Sequence, residues 1–538
     1  MTNATRHAVL LSLALAVFAG PSGLASPPGP ADPAAIVHVL NRVAFGPSPG
    51  DTGHVRAVGI SRYIDEQLHP DRLADAGMEA RLAGLDTLRM TSREIAEQYE
   101  IPQLKARLAK RQAGAKDGDQ PEPPSPEQQR RANLVVIELS QQKLLRAAYS
   151  ERQLQEVLVD FWFNHFNVDA RKGADRFLLT EYERETIRPH VLGKFRDLLG
   201  ATAKSPAMLF YLDNWMSADP NGPHADTRAG TSRVNRFGRE RFGGRFPQMD
   251  QLAAQKKNAP KGLNENYGRE LMELHTLGVD GGYTQKDVTE VARALTGWTI
   301  QTPRLGGSYH FDPRLHDPGE KIVLGHVIKP GGGEGDGEQV LDILARHPST
   351  ARFISTALVR RFVSDTPPPV LVDRAAARFR QTDGDLREVM RTILTSPEFL
   401  SPESYAAKTK TPLEFVVSSI RATGAVMPTA QDALPLVRQL RELGMPLYSC
   451  QPPTGYKDTA DAWVNTGALV GRMNFALDLA SSKVGAIAVE NRDALADGGL
   501  AALVGHDLSE STRTTVERAT SGPQKIALVL GSPEFQRR

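Results

Sequence analysis

Apolar residues recur along most of the chain at spacings of three and four, the repeat of an α-helix that buries one face. That pattern predicts helices over Pro33 to Phe45, Ser61 to Leu68, Pro126 to Ala148, Glu151 to Val168, Arg184 to Thr202, Leu263 to Leu277 and Thr284 to Trp298. It continues over Gly337 to Ala345, Thr350 to Val363, Pro369 to Gln381, Asp385 to Thr395, Pro412 to Thr423 and Asn465 to Leu479. Strand character is confined mainly to "SYHFDPRLHDPGEKIVLGHVI", where "KIVLGHVI" predicts a short hairpin arm. The fold class is therefore mainly α: a multi-helix, bundle-like assembly with a small β-hairpin element and long surface loops.

Two stretches interrupt the helical repeat. "AGAKDGDQPEPPSP" has the Pro, Gly and charge content of a solvated loop, and a longer break runs from Ser217 to Pro260. They divide the chain into an N-terminal helical region (32–216), an Arg/Phe/Gly-rich loop (217–262), a central helical region with its hairpin near 308–328 (263–424) and a C-terminal helical region (425–538). In the long loop, Arg233, Arg236, Arg239, Arg241 and Arg245 interleave with Phe237, Phe242 and Phe246. Arginine beside aromatics can stack on bases or grip acidic sugars, with Arg236 and Arg241 the binding candidates; the plainer reading is a surface loop. "SPEF" follows an apolar helix twice, at Ser396 and at Ser532, and reads as helix punctuation in which the phenylalanine packs back.

Length and charge narrow the picture. A chain of 538 residues exceeds what one core usually supports, so two packed units or one elaborated helical unit are expected. Lys and Arg total 65 against 63 for Asp and Glu, which gives no global field for nucleic acid or an anionic membrane, and no nucleic-acid partner is expected. At the start, Arg6 and His7 precede the apolar run Ala8 to Gly20, too short to span a bilayer, and Gly23 and Ala25 offer a cleavage site. Residues 1–25 thus read as a signal peptide, and the mature chain is expected in the periplasm or secreted, without stable membrane insertion. Cys450 is the sole cysteine, which rules out an internal disulfide, a Cys-based zinc site and a c-type haem attachment. It lies in the turn-rich stretch "MPLYSCQPPTGY" and reads as incidental.

Candidate chemistry concentrates in "NENYGRELMELHTLG". At about 100° per residue, Tyr267, Leu271 and Leu274 form the apolar stripe, Glu270 falls within it, and Asn266 and Glu273 flank it. His275 sits roughly 140° from Glu270, so a straight helix cannot aim both at one ion, unlike an H-E-x-x-H helix. Carboxylate-bridged bundles use Glu-x-x-His, absent here, so a metal at Glu270 and Glu273 needs ligands from other helices, and no cofactor is specified. Gly278 is placed to end this helix in a left-handed conformation, and Thr284 with Asp287 forms a capping box opening the next.

In "DFWFNHFNV", His165 shares the apolar face with Leu154, Leu158 and Phe161, whereas Asp160, Asn164 and Asn167 lie on another side. A pairing of His165 with Glu270 would satisfy two costly buried groups, or would orient a general base by a carboxylate. Arg42 or an arginine of "YERETIRPH" is the alternative partner for Glu270. In "FDPRLHDPGEK", His316 and Asp317 precede a Pro-Gly turn and are either a presented ligand-binding pair or an Asx turn. The candidate catalytic residues are therefore His165, Glu270 and Glu273; the candidate binding residues are Asn266, His316, Asp317, Arg236 and Arg241. No P-loop or dinucleotide fingerprint is present.

Taken together, "HVLNRVAFGPSPGD", "DFWFNHFNV", "RPHVLGKFRDLLGATAKSPAMLFYLDN", "LNENYGRELMELHTLGVDGGYTQKDVTEVARALTGW", "FDPRLHDPGEKIVLG" and "TDGDLREVMRTILTSPEFL" resemble the bacterial family called domain of unknown function 1800. The likeness runs from about His38 to Leu479; Gly268 stands where alanine is expected, and the Arg/Phe-rich loop looks like an insertion. The resemblance carries no catalytic residue, because the family has no established activity. It implies an exported, mainly helical protein, commonly encoded beside a second family similar to the alkaline phosphatases and sulfatases. Two function classes follow: an accessory or binding subunit for that sulfatase-like protein, or an extracytoplasmic hydrolase using a buried His/Glu site, with or without a metal.

Overall fold

Capping chemistry sets many of the helix ends. In the computed structural model, which describes residues 32–102, 105, 126–222, 262–303, 305–504 and 508–538, Thr284 and Thr411 each close a capping box, with Asp287 and Glu414 as the reciprocal acceptors. Proline opens helices Pro33–Val43, Pro348–Phe362, Pro369–Gln381 and Pro412–Thr423, where its missing N–H costs nothing. The architecture is mainly α, with two small two-stranded antiparallel sheets. The stretch before residue 32, with the expected signal peptide, the loop around Ala113 and the loop bearing Arg236 and Arg241 lie outside the described residues.

The hairpin forms as the pattern predicts: strand Lys321–Val323 pairs with His326–Ile328 through Leu324 and Gly325, both at positive φ. Two helical expectations are corrected. The helix expected over Arg184 to Thr202 breaks into a wide π turn (Tyr182–Ile187), a 3-10 turn (Arg188–His190) and a helix over Phe195–Lys204, because Pro189 lacks the N–H that would continue the ladder. The helix expected to reach Trp298 stops at Ala294; Gly297 turns at φ 80°, and Trp298 begins a strand opposite Phe311.

One large cluster of buried apolar side chains runs from Ile36 to Phe535 and draws on the N-terminal, central and C-terminal regions alike, and a small second one joins Ile95, Val135 and Phe177. Both "SPEF" turns feed it. In each, the serine hydroxyl accepts from the phenylalanine N–H at 3.1 Å, and Phe399 and Phe535 are buried. Among the described residues no helix is long and apolar enough to cross a membrane.

Helices Glu265–Met272 and Gln285–Ala294 pack as the expected hairpin. Gly268 brings them close, since a Cβ there would lie 2.9 Å from the Val288 carbonyl oxygen. The first helix then widens into a π turn over Glu273–Leu277, where the Thr276 hydroxyl donates to the Leu271 carbonyl at 2.7 Å. The wider turn resets the rotation assumed from the sequence: His275 turns inward and is buried, while Leu274 is only half-buried. Gly278 has the expected positive φ, but at ψ 164° it takes an extended conformation open to glycine and not the left-handed helical one.

Candidate functional site

The Gln153–His165 helix carries two faces, as its periodicity predicts. One packs Leu158 and Trp162 into the core. From the other, Asn164 donates its amide to the Tyr456 carbonyl at 2.8 Å and accepts from the Tyr456 N–H at 2.7 Å. Just beyond the helix, Asn167 donates to the carbonyls of Cys450 and Pro452, both at 2.9 Å. The two asparagines thereby clamp the loop "SCQPPTGY". Gly455 is required there, because at φ +69° a Cβ would sit 2.3 Å from the Asn164 carbonyl oxygen.

A cleft of about 310 Å³ opens between this helix, the clamped loop and the end of helix Pro348–Phe362. His165, Asp160, Arg360, Arg361, Tyr456 and Asp458 are among its walls. A second recess of about 560 Å³ shares the loop through Gln451 and Pro453 and is lined also by Asp169, Tyr211 and Asn266.

Beneath the cleft runs a chain of buried ion pairs. Glu156 meets Arg188 at 2.6 Å, Arg188 meets Glu183 at 3.5 Å, Glu183 meets Lys143 at 3.8 Å and Lys143 meets Asp160 at 3.2 Å. Asp160 then reaches Arg361 at 3.8 Å, Arg361 binds Glu414 at 2.6 Å, and Glu414 binds Arg538 at 2.9 Å. Burial pushes the Glu414 carboxyl up, but Arg361 and Arg538 outweigh it and hold it at about 2. Glu183 is likewise held below the carboxylate range, with Lys143 and Arg188 overcoming its burial and the Tyr448 hydroxyl donating to it at 2.6 Å.

Among the sequence candidates, His165 lies on the cleft wall, but its Nε2–H donates to the His275 main-chain carbonyl at 3.1 Å. That bond leaves Nδ1 as the acceptor. Burial lowers the His165 pKa to about 4 against the opposing pull of this carbonyl, and burial lowers His275 to about 3. No hydrogen bond or ion pair joins His165 to Glu270 among the described residues; the π turn presents the backbone of His275 instead. Glu270 is half-buried, its carboxyl raised by burial and then by neighbouring Glu273, with Arg269 opposing. Glu273 accepts from the Tyr283 hydroxyl at 2.9 Å. The alternative partners of Glu270 are committed elsewhere, Arg42 to the Ser404 carbonyl at 2.8 Å and Arg188 to Glu156. Arg184 donates to the carbonyls of Leu88 and Met90.

Asn266 is exposed and lines the second recess. His316 and Asp317 are buried and line neither. His316 bridges the Thr296 carbonyl at 2.8 Å and Asp336 at 3.0 Å, and fully buried Lys321 meets the same Asp336 oxygen at 2.7 Å. Asp317 pairs with Arg293 at 2.7 Å and accepts from the Gly319 N–H at 2.8 Å, so the Asx turn of the plainer reading is present. Cys450, read as incidental, lies on the cleft wall with a thiol that burial and Asp169 push up to about 11. Among the described residues, no group of three or more His, Cys, Asp or Glu side chains is arranged to hold a metal ion.

Sequence reasoning missed Arg360, Arg361, Asp458 and the clamped loop as members of a site. The available signal was the presence of charges inside apolar helices, Glu414 in "PLEFVVSS" and Arg361 in "ALVRRFV".

Fold and cleft together define a mainly α protein built around a clamped loop and a buried ion chain. The family model described as "Protein of unknown function (DUF1800)" matches residues 38–537, and the chain belongs to that family. No curated protein and no solved structure matches it.

Proposed function

We propose that this chain works outside the cytoplasm as an accessory or binding subunit for a co-encoded hydrolase of the sulfatase and alkaline phosphatase kind. One observation carries the binding side of this reading: the candidate proton-transfer groups do not assemble. His165 is tied to a main-chain carbonyl, while Glu270 and Glu273 neighbour each other and Tyr283. A general base needs a partner that orients it toward substrate, and here the orienting contact is a backbone group. Export is supported by the apolar run Ala8 to Gly20 with small residues at Gly23 and Ala25. The partnership rests on the family resemblance.

The test is recovery of the affinity-tagged full chain from its native host after mild cross-linking of the extracytoplasmic fraction. Enrichment of the sulfatase-like neighbour is expected; its absence overturns the partnership.

One observation favours the hydrolase reading. The Glu270 carboxyl is raised by burial and then by Glu273, with Arg269 opposing, which is the direction a general acid requires. That reading requires turnover of an aryl phosphate or sulfate ester by the purified chain, lost in Glu270→Gln, with metal analysis of the same preparation. No turnover disposes of it for those esters.

A further inference from the structure

The cleft beside the Gln153–His165 helix holds more positive charge than its own carboxylates take up. Lys143, Arg360, Arg361 and Lys457 line it against Asp160 and Asp458. Both carboxylates are already claimed. Asp160 lies 3.2 Å from Lys143 and 3.8 Å from Arg361; Asp458 lies 3.4 Å from Arg361 and 3.7 Å from each of Lys408 and Arg538. Lys143 and Arg361 therefore belong to the buried ion chain. Arg360 does not: half-buried, it has neither an ion pair nor a hydrogen bond among the described residues. Lys457 reaches only Asp461, at 3.6 Å, with side chains 72% and 68% exposed, a pairing that water screens.

We propose that this cleft binds a small molecule bearing an oxyanion group, a carboxylate or a phosphate or sulfate ester, seated on Arg360 and Lys457. A guanidinium presents a planar fork that matches two oxygens of such a group, and a low-dielectric wall strengthens the attraction. The volume of about 310 Å³ lies at the small end of ligand sites, so the molecule is compact. Phe161 and Tyr456 supply apolar wall for its body, because the Tyr456 hydroxyl already donates to the Pro446 carbonyl at 2.8 Å. On the same wall, His165 keeps Nδ1 as an acceptor for a ligand hydroxyl, since Nε2–H is held by the His275 carbonyl. This site goes beyond the partnership proposed above and does not depend on it.

Isothermal titration of the full chain at constant ionic strength, set with NaCl, tests the assignment. The probes are inorganic phosphate, inorganic sulfate, citrate, phenyl phosphate and phenyl sulfate. Saturable binding of at least one is expected, with the phenyl esters tighter than the inorganic ions if an ester is the native group and citrate tightest if a carboxylate is. Arg360→Gln should weaken the tightest probe at least tenfold and Lys457→Gln several-fold. Arg518→Gln, an exposed position outside the cleft, should bind as the wild type does. Because Arg360 and Lys457 support no buried contact, both variants should keep the wild-type circular dichroism and melting temperature. No saturable binding by any of the five probes, or an affinity unchanged in folded Arg360→Gln, overturns the proposal.

Discussion

The imidazole of His165 donates to the main-chain carbonyl of His275 at 3.1 Å, and the two rings lie 6.4 Å apart. Neither ring has a carboxylate beside it, and burial keeps both neutral, near 4 and 3. His38, stacked on Tyr405 and donating to the Phe399 carbonyl at 2.8 Å, is lowered to about 3 by burial and by Arg42. For each, the folded pKa lies below the ordinary 6.5, so the unfolded chain binds more protons once the pH drops under that value. Their contribution is complete above pH 6.5 and is lost as the pH falls toward 4 and 3. Between pH 7 and 5, each buried histidine should cost on the order of 1–2 kcal/mol of stability. Urea midpoints at the two pH values check this: His275→Gln should lose less stability than wild type on acidification, and an equal loss would contradict it.

The buried ion chain should respond to substitution very differently from the surface pairs. Glu414 is shared by Arg361 and Arg538, and all three are at most 4% exposed. Removing the charge in Glu414→Gln leaves two buried guanidinium groups short of a partner, which is expected to cost about 3–5 kcal/mol. Asp373→Asn, in the exposed pair with Arg352 where both side chains are 61% accessible, should cost under about 1 kcal/mol. Comparing the two by thermal melting separates the cases. The Glu414 contribution also has its own pH window: its folded pKa of about 2 lies below 4.5, so the stability is complete above pH 4.5 and lost as the pH falls toward 2.

Helix existence was legible where the apolar repeat is long and local caps agree with it. Pro369–Gln381 and Pro412–Thr423 match the expected bounds because proline opens each and the repeat runs unbroken. Beyond Ala480 only the apolar helix ahead of the second "SPEF" turn, Gly522–Leu530, was signalled; Glu510–Glu517 is short, and no long repeat announces it. The π turn at Glu273–Leu277 defeated the rotation argument, which assumes a constant angle per residue. The site was harder still. The sequence sets Asn164 and Asn167 on a different side from His165, but all three line the one cleft, and the partners of the asparagines lie nearly three hundred residues along the chain, at separations of 292 for Tyr456 and 283 for Cys450. No local pattern encodes such a pairing.

Asn167 should control both the loop and the reactivity of the lone cysteine. Its amide serves the Cys450 and Pro452 carbonyls together, and Cys450 is 6% exposed. Asn167→Ala leaves two carbonyls without their donor, an expected loss of about 1–3 kcal/mol. The loosened loop should admit a thiol reagent. In the wild type, a buried thiol raised to about 11 should react slowly with dithionitrobenzoate at pH 8, and Asn167→Ala should react several-fold faster. Equal labelling rates would mean that the loop holds its place without the clamp.

Gly268 makes a prediction against the residue expected from the family likeness. A Cβ at this position would lie 2.9 Å from the Val288 carbonyl oxygen, 3.1 Å from the Ala292 nitrogen and 3.3 Å from the Ala292 Cβ. Two of those three contacts are backbone, so no side-chain rotation relieves them. Alanine gains about 1 kcal/mol of helix propensity over glycine, whereas overpacking a tight contact costs about 1–3 kcal/mol, so Gly268→Ala should be neutral to destabilising by up to about 2 kcal/mol. The double variant Gly268→Ala with Ala292→Gly removes only the side-chain contact. It should therefore recover none of the backbone strain, and it puts a glycine into helix Gln285–Ala294, which has none, so it should melt below either parent. A clear rise in melting temperature for Gly268→Ala would mean that the two helices separate without loss, and that close approach is not what holds this hairpin against the core.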